Sequence, residues 1–296
     1  MLSIGALARA TAIPVETLRT WERRYGYPTP ERKASGHRLY PVGSVSRLRR
    51  IVKALADGHR AGDVVPASDA DLRALLDTAD ALPARRPSPP GTESLVAGLL
   101  AAVGSFDGEA VTRRLQAEWA RLGPLDFLTA CVAPVIEAVG DAWVAGTLEV
   151  RHEHFLSERV GDLLRALRLP FEERATGPLV VLSTLPGESH SLGLHMAALM
   201  LATSRCRVLV LGTEVPPPQL AELARERRAR AVGISVSAAT GGAVTSRRLR
   251  ALRSLLPPRT SLLAGGAGAP VGSTGVTTIR ELARLESWAR HAAGTA

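Results

Sequence analysis

A histidine flanked by small residues follows an apolar run in the second half of the chain. The peptide 187–193 (Gly-Glu-Ser-His-Ser-Leu-Gly) stands between the apolar run 179–185 and a helical pattern over 194–203. A strand-to-helix turn lies outside the carboxyl edge of an open α/β sheet, where such folds bind ligands. Neutral imidazole is a good transition-metal ligand, and a nearby carboxylate can orient its second ring nitrogen. The pattern predicts a cofactor or metal site at His190; the simpler alternative is an ordinary loop with a solvated histidine.

The composition excludes several classes of protein. The chain has 296 residues and a net charge of +9, and Lys33 and Lys53 are its only lysines. An excess of arginine suits a polyanionic partner. Cys131 and Cys206 are the only cysteines, which excludes a disulfide framework and a cysteine-rich zinc site. The sequence opens without a signal peptide and contains no uncharged apolar run of membrane-spanning length, so we expect a cytoplasmic protein without a membrane partner.

The first 66 residues have the pattern of a small DNA-binding domain. Helical spacing over 4–11 and 14–24 predicts a helix-turn-helix, followed by a two-stranded wing that turns at 35–36 and by a helix over 45–56. Arginines and short donors on a second helix are what contacts to DNA phosphates and base edges require. The alternative is a small helical domain with a solvated arginine face.

The resemblance at this end of the chain is specific. Residues 17–26 (Thr-Leu-Arg-Thr-Trp-Glu-Arg-Arg-Tyr-Gly) and 36–40 (Gly-His-Arg-Leu-Tyr) resemble the winged helix-turn-helix of the MerR family of transcription regulators. This resemblance implies double-stranded operator DNA as a partner of a domain over 1–66. We expect Trp21 in the core and Glu22 holding an arginine. The residues that it implies at the DNA surface are Thr17, Arg19, Arg23, Arg24, Tyr25, His37, Arg38 and Tyr40.

The middle of the chain is predicted to be helical. A helix and a proline-rich linker are expected over 67–94, and apolar spacing over 95–172 predicts a four-helix bundle. Two features of the bundle are not explained by core packing. Trp143 ends one predicted helix, and after nine intervening residues Glu153-His154 opens the next. The alternative is that the tryptophan is a core residue and the other two are surface residues.

Residues 178–296 alternate five apolar runs with helical stretches. This alternation predicts a doubly wound parallel sheet of the flavodoxin-like kind. Ser235-Val236-Ser237 and Gly265-Gly266 fall at two predicted strand ends, where small residues let a flat heterocycle approach the backbone. A different nucleotide in the same fold is the alternative.

These three parts together carry a second resemblance. Residues 188–193 resemble the Asp-x-His-x-x-Gly signature of cobalamin-binding domains, with Glu188 in place of aspartate. With the winged helix and Trp143-x9-Glu-His, the whole chain is similar to CarH/LitR-type MerR-family transcription regulators. The resemblance implies cobalamin, as adenosylcobalamin, with His190 as the lower ligand of cobalt. The other cofactor-binding residues that it implies are Trp143, Glu153, His154, Glu188, Ser189, Gly193, Ser235, Ser237, Gly265 and Gly266.

The same resemblance implies a light-responsive repressor rather than an enzyme. Trp143, Glu153 and His154 would hold the adenosyl group on the upper face of the cofactor. The bound cofactor would favour a homo-oligomer, a dimer or tetramer, that grips DNA, and light would break the cobalt–carbon bond and dissolve the oligomer. Only contacts that differ between two states can shift such an equilibrium, and linked DNA-binding heads lose avidity when they separate.

One position departs from the family pattern. A histidine that caps cobalt after photolysis follows the tryptophan in this family, whereas this chain has Val144, which cannot ligate a metal. The illuminated state would be capped by water, by His152 or by His154, or formed differently. Two other functions stay open. One is a MerR-type regulator that senses cobalamin, redox state or another tetrapyrrole without photochemistry. The other is a corrinoid carrier for methyl transfer, although a carrier has no use for a winged helix.

Overall fold

The structure is a computed structural model, and its chain divides into two compact units. The first unit comprises Met1–Pro87 and Gly140–Val150, and the second comprises Ser88–Val139 and Arg151–Ala296. The segment Gly140–Val150, which carries Trp143, therefore groups with the N-terminal residues. The residues that the structure describes are 1–11, 13–32, 38–56, 59–79 and 92–294.

The N-terminal unit contains the predicted winged helix-turn-helix, which is confirmed. Its elements are α1 (Ile4–Thr11), α2 (Val15–Tyr25), β1 (Glu31–Arg32), β2 (Arg38–Leu39), α3 (Ser44–Ala56), α4 (Ala61–Val64) and α5 (Asp69–Ala79). The two strands pair antiparallel. Helix α2 ends at Gly26, whose left-handed φ of 74° suits glycine and whose N–H returns to the carbonyl of Glu22. Leu7, Leu18 and Leu48 are fully buried in one core. The predicted turn at 35–36 and most of the predicted linker lie outside the described residues.

The predicted four helices of the middle region are also confirmed. They are α6 (Thr92–Gly104), α7 (Gly108–Arg121), a third helix made of α8 (Pro124–Asp126), a π-helical segment (Phe127–Val132) and α9 (Ala133–Ala145), and α10 (Val150–Glu172). Asp107 caps α7 by accepting the backbone N–H of Ala110 at 2.9 Å.

The third of these helices is unusually apolar. In the described part of the chain, Pro124–Ala145 is the one helix long and apolar enough, by length and composition, to cross a membrane. Core helices of proteins without membrane spans have the same composition, so the observation is weak evidence for a span.

The second half of the C-terminal unit is a five-stranded parallel sheet, as predicted. The strands are β3 (Leu179–Ser183), β4 (Arg207–Gly212), β5 (Ala231–Ser235), β6 (Ser261–Gly265) and β7 (Thr277–Ile279), in the order β4-β3-β5-β6-β7. The helices are α11 (Leu192–Thr203), α12 (Pro217–Glu226), α13 (Ala243–Leu255) and α14 (Leu282–Gly294), of which the last was not predicted. The chain runs from β3 to one neighbour and then returns past β3 to the other. This reversal creates the switch point at which flavodoxin-like folds bind ligands.

The loops that follow β5 and β6 approach each other closely at the carboxyl edge of the sheet. A Cβ atom added at Gly268 would lie 2.0 Å from the carbonyl oxygen of Ser237, and one added at Gly266 would lie 2.3 Å from that of Val236. Both obstacles are backbone atoms, which cannot turn aside as a flexible side chain can. The glycines therefore allow the two loops to form one surface.

We expect Gly268→Ala to lower the free energy of unfolding by about 1–3 kcal/mol, because the added methyl forces the two loops apart. Urea unfolding followed by circular dichroism measures the change. Gly104→Ala is the control, since its added methyl meets nothing within 4 Å. Equal stability of the two variants would contradict the close approach of the loops.

Candidate functional site

The loop between β3 and α11 places His190 at the carboxyl edge of the sheet. Its Nδ1 atom lies 2.5 Å from Oε1 of Glu188, and the same oxygen accepts the backbone N–H of His190 at 3.0 Å. An ionised carboxylate only accepts hydrogen bonds, so Nδ1 carries a proton, and in the neutral imidazole the lone pair is on Nε2. The His190 side chain is 44% exposed. This tautomer and this exposure are what a histidine that ligates a metal through Nε2 requires.

Glu188 is buried and receives hydrogen bonds from two elements of the fold. Its Oε2 atom accepts the backbone N–H of Ser237 at 2.7 Å and the hydroxyl of Thr240. Burial by itself would raise the pKa of Glu188, but the hydrogen bonds from His190, Ser237 and Thr240 lower it to about 2. The hydrogen bond to Glu188 in turn raises the pKa of His190 against the effect of burial. The pair is therefore an ionised carboxylate that orients an imidazole.

Three further residues hold the backbone of this loop. Glu214 accepts the backbone N–H of Gly187 at 2.9 Å, and its own N–H donates to the hydroxyl of Thr184 at 2.8 Å. Arg248 donates to the carbonyl of Pro186 from α13. Glu214 has a φ of 58°, which is uncommon for a residue other than glycine. The loop is thus fixed from β4 and from α13, and these contacts were not foreseen because they depend on how distant segments meet.

A cavity of about 180 Å³ lies beside α11 and the ends of the central strands. Backbone and aliphatic atoms form most of its wall, with Arg280 and Glu281 at one side. A Cβ atom added at Gly193 would lie 2.5 Å from Oγ of Ser235, so a larger residue here would force the serine side chain to move. The cavity brings together four residues that the sequence singled out: Gly193, Ser235, Gly265 and Gly266.

The remaining predicted cofactor residues of this edge have different positions. Ser237 binds Glu188 through its backbone N–H, and the side chain of Ser189 is exposed. Thr240, which sequence reasoning missed, completes the carboxylate's set of donors. Its only signal is a hydroxyl a few residues beyond a predicted strand, which is too common a pattern to single it out.

Glu153 and His154 lie in the first turn of α10. Nδ1 of His154 is 2.8 Å from Oε2 of Glu153, and the hydroxyl of Ser157 donates to Oε1 of Glu153 at 2.8 Å. The charge of Glu153 contributes to the raised pKa of His190, so the two side chains interact electrostatically. His154 is 70% exposed, whereas His152 is buried and stacks on Phe106 with 4.6 Å between the ring centroids.

Trp143 belongs to the N-terminal unit. The guanidinium carbon of Arg49 lies 3.8 Å from the centroid of its ring, and Arg49 donates to its carbonyl at 2.8 Å. Val144, the next residue, is half-buried.

The outer face of α2 presents most of the predicted DNA-binding side chains. Arg19, Arg23 and Arg24 are exposed, and Arg19 pairs with Glu16 at 3.0 Å. Thr17 and Tyr25 are partly buried, and the guanidinium of Arg24 lies 5.5 Å from the Tyr25 ring. His37 lies outside the described residues.

The wing is tied to α2 through Glu22. Arg38 is half-exposed and pairs with Glu22 at 3.4 Å, and Trp21 is 7% exposed, so the expected roles of Glu22 and Trp21 are confirmed. The prediction that Tyr40 faces DNA is wrong. Tyr40 follows the last residue of β2, pairs with Leu2 instead and is fully buried. Its hydroxyl donates to Glu22 at 2.7 Å, and burial with this hydrogen bond raises the pKa of Tyr40 to about 12.

The outer face of α2 and the loop of His190 at the sheet edge together indicate a class of protein: a DNA-binding regulator with a cobalamin-binding domain. Comparison with protein families agrees along the chain. Residues 2–65 match the MerR HTH family regulatory protein, and residues 95–168 and 178–276 match two families described as B12 binding domain.

Comparison with individual proteins narrows the class. The HTH-type transcriptional repressor CarH of Myxococcus xanthus is 31% identical over 90% of this chain and 89% of that protein. The repressor CarA of the same organism is 27% identical over 74% of this chain and 70% of its own length. The chain belongs to the CarH-type family, MerR-type transcriptional repressors with cobalamin-binding domains, and is a regulator rather than an enzyme.

A solved structure shows the same fold in another setting. The monomethylamine corrinoid protein of Methanosarcina barkeri is 16% identical and has a TM-score of 0.55, and the match covers 68% of this chain and 99% of that protein. At this identity the likeness shows the fold alone.

Because the Tyr40 hydroxyl donates to a charged group, we expect Tyr40→Phe to lower the free energy of unfolding by about 1.5–3 kcal/mol. Thermal or urea unfolding of the full chain measures the loss. Arg19→Ala, which removes only a surface ion pair, should change stability by less than about 1 kcal/mol. A stability unchanged by Tyr40→Phe would argue against a stabilising hydrogen bond between Tyr40 and Glu22.

The Glu188–His190 pair makes the stability of the cofactor-free protein depend on pH. The contribution of Glu188 is present above its usual pKa of 4.5 and is lost as pH falls toward 2. The contribution of His190 is complete below its usual pKa of 6.5 and is lost as pH rises through its raised value. The pair should therefore stabilise most between these two usual values.

Urea unfolding at a series of pH values tests this dependence. Wild-type stability should fall on both sides of this pH window, and we expect Glu188→Gln to flatten both slopes of the free energy of unfolding against pH. Glu222→Gln, at an exposed position on α12, should leave these slopes unchanged. Slopes that persist in Glu188→Gln would assign the dependence to other groups.

Proposed function

We propose that this regulator is an adenosylcobalamin-dependent, light-responsive repressor whose oligomer holds operator DNA in the dark. The observation that carries the proposal is the Glu188–His190 pair, in which the 2.5 Å contact at Nδ1 leaves Nε2 for cobalt. Buried carboxylates orient metal-binding histidines in this way, and their loss weakens metal affinity.

The residues at the sheet edge fit the lower side of such a cofactor. His190 would hold cobalt, and the cavity lined by Gly193, Ser235 and Gly265 would receive the nucleotide base that the histidine displaces. The absence of side chains at the glycines is what gives a flat heterocycle access to the backbone.

The upper side would be formed by Trp143, Glu153 and His154. An indole offers a flat wall to adenine, and the carboxylate–imidazole pair, 2.8 Å apart, offers an acceptor and a donor to the ribose and the base. When bound, adenosylcobalamin supplies a cobalt–carbon bond that light breaks. Trp143, Glu153 and His154 would contact the adenosyl group only while it is bound. Contacts that exist in only one state would shift the equilibrium between conformations and between oligomers.

Separation of an oligomer is sufficient to release DNA. Each winged helix contributes a limited number of phosphate contacts, chiefly from Arg19, Arg23 and Arg24. Linked copies gain effective concentration, so the same contacts bind far more tightly in an oligomer than in a monomer.

A second function, a cobalamin sensor without photochemistry, is favoured by one observation. Val144 cannot ligate cobalt, and His152 is buried against Phe106. If the protein instead responds to light, the upper ligand after light would be His154, which is 70% exposed, rather than the buried His152.

Size-exclusion chromatography with absorption spectra, before and after green light, tests the proposal on protein loaded with adenosylcobalamin in darkness. We expect a dark oligomer that dissociates as the spectrum changes. His190→Ala should lose the spectrum of histidine-ligated cobalamin and weaken binding by tenfold or more. His291→Ala, at an exposed position on α14, is the control.

Three results separate the candidates. Cobalamin binding without any response of size to light would favour the sensor without photochemistry. His154→Ala that changes only the spectrum of the illuminated protein would assign the upper ligand. Absence of cobalamin binding would overturn the proposal.

A further inference from the structure

Two cationic side chains of helix α3, in the N-terminal unit, bind the end of the helix that carries Trp143. The guanidinium of Arg49 stacks on the Trp143 ring at 3.8 Å, and Nη1 of Arg49 donates to the Trp143 carbonyl at 2.8 Å. One turn further along α3, Nζ of Lys53 lies 2.8 Å from Oδ1 of Asp141. Arg49 and Lys53 are four residues apart, so they lie on one face of α3.

These contacts of Arg49 and Lys53 have clear physical causes. The last carbonyl groups of a helix lack partners within the helix and carry partial negative charge, which favours a cation at that end. A guanidinium is planar and can stack on an indole while its N–H groups bind acceptors in its plane. Burial lowers the pKa of Arg49 only to about 10, so the group remains a cation at neutral pH.

The same contact leaves two polar atoms without partners. Nε of Arg49 and Nε1 of Trp143 are buried, and neither has a hydrogen-bond partner in the part of the chain that the structure describes. A buried donor without a partner loses its hydrogen bonds to water and gains none in return. The two unsatisfied donors reduce the net gain from stacking, so a ligand that competes for the indole has less to overcome.

We infer that Arg49 is a positioning residue that holds Trp143 when no cofactor is bound and competes with the cofactor for the face of the indole. The inference rests on the proposed function, in which Trp143 contacts the adenosyl group. A ring covered by a guanidinium at 3.8 Å cannot at the same time stack that face on adenine.

Through this competition, cofactor binding changes the contacts of the helices in the winged helix-turn-helix. Arg49 lies on α3, which packs in one core with α1 and α2 through Leu7, Leu18 and Leu48. A cofactor that displaces Arg49 from Trp143 removes a contact that holds α3 to the segment Gly140–Val150. The coupling between cofactor binding and this contact is reciprocal, so weakening the contact between Arg49 and Trp143 should strengthen cofactor binding.

Fluorine NMR of the full chain labelled with 5-fluorotryptophan measures the contact of Arg49 with Trp143 separately from its competition with the cofactor. The chain has four tryptophans, and Trp143→Phe identifies the resonance of Trp143. We expect Arg49→Leu to shift this resonance in the cofactor-free protein. In darkness, the same variant should bind adenosylcobalamin about threefold to tenfold more tightly, the range for loss of a competing cation–π contact.

Lys53→Ala is the matched control, because it removes the neighbouring ion pair without touching Trp143. It should leave both the resonance and the cofactor affinity unchanged. Arg49→Lys keeps the charge but not the planar group, and it should shift the resonance and tighten binding to a smaller extent. This second variant also keeps the test valid if Arg49→Leu does not fold.

The outcomes distinguish the inference from the function on which it rests. If the Trp143 resonance responds to adenosylcobalamin but neither Arg49 variant binds the cofactor more tightly, competition by Arg49 is wrong and the proposed cofactor contact stands. If cobalamin binds and the wild-type Trp143 resonance does not respond, the proposed contact at Trp143 is wrong, and the competition fails with it.

Discussion

The buried carboxylate of Glu188 is the interaction on which the cofactor edge depends. Four donors converge on it: the backbone and imidazole N–H groups of His190, the backbone N–H of Ser237 and the hydroxyl of Thr240. A buried charge is tolerated only when it is paired and hydrogen-bonded. The loss of one donor would therefore weaken the stabilisation that the other donors provide. The loops after β3 and β5 are therefore held in one mutual arrangement, and the imidazole is oriented by the carboxylate.

Glutamate in place of aspartate changes the reach of this carboxylate. Its additional methylene lets one oxygen serve His190 and the other serve Ser237 and Thr240 across the switch point between β3 and β5. The close approach of Gly268 to Ser237 supports the same loop from behind. The site is thus built from short-range backbone constraints as much as from side chains.

A single carboxylate also joins separate elements in the N-terminal unit. Glu22 of α2 accepts a hydrogen bond from the buried Tyr40 and pairs with Arg38 of the wing. The next helix, α3, turns two cations toward the segment that carries Trp143. A residue expected to report on the cofactor is therefore held by the unit expected to bind DNA.

The sequence by itself determined the elements and their types. Helical spacing and caps predicted the helix-turn-helix and the four helices, because helix periodicity and termini are local properties. Apolar runs predicted the parallel sheet, because strands buried on both faces are continuously hydrophobic. Short motifs pointed to His190, Glu188 and the glycines of the cavity, because small residues let a flat cofactor approach the backbone and imidazole is a good metal ligand.

The tertiary structure alone decided which of these residues meet. Tyr40 was expected at the DNA surface and is buried, because pairing with Leu2 ends the alternation of the strand. Thr240, Glu214 and Arg248 were missed, because they reach the His190 loop from other strands and helices. The stack of Arg49 on Trp143 joins residues 94 positions apart in the chain. Contacts of this kind depend on how whole elements pack, and no local pattern records that packing.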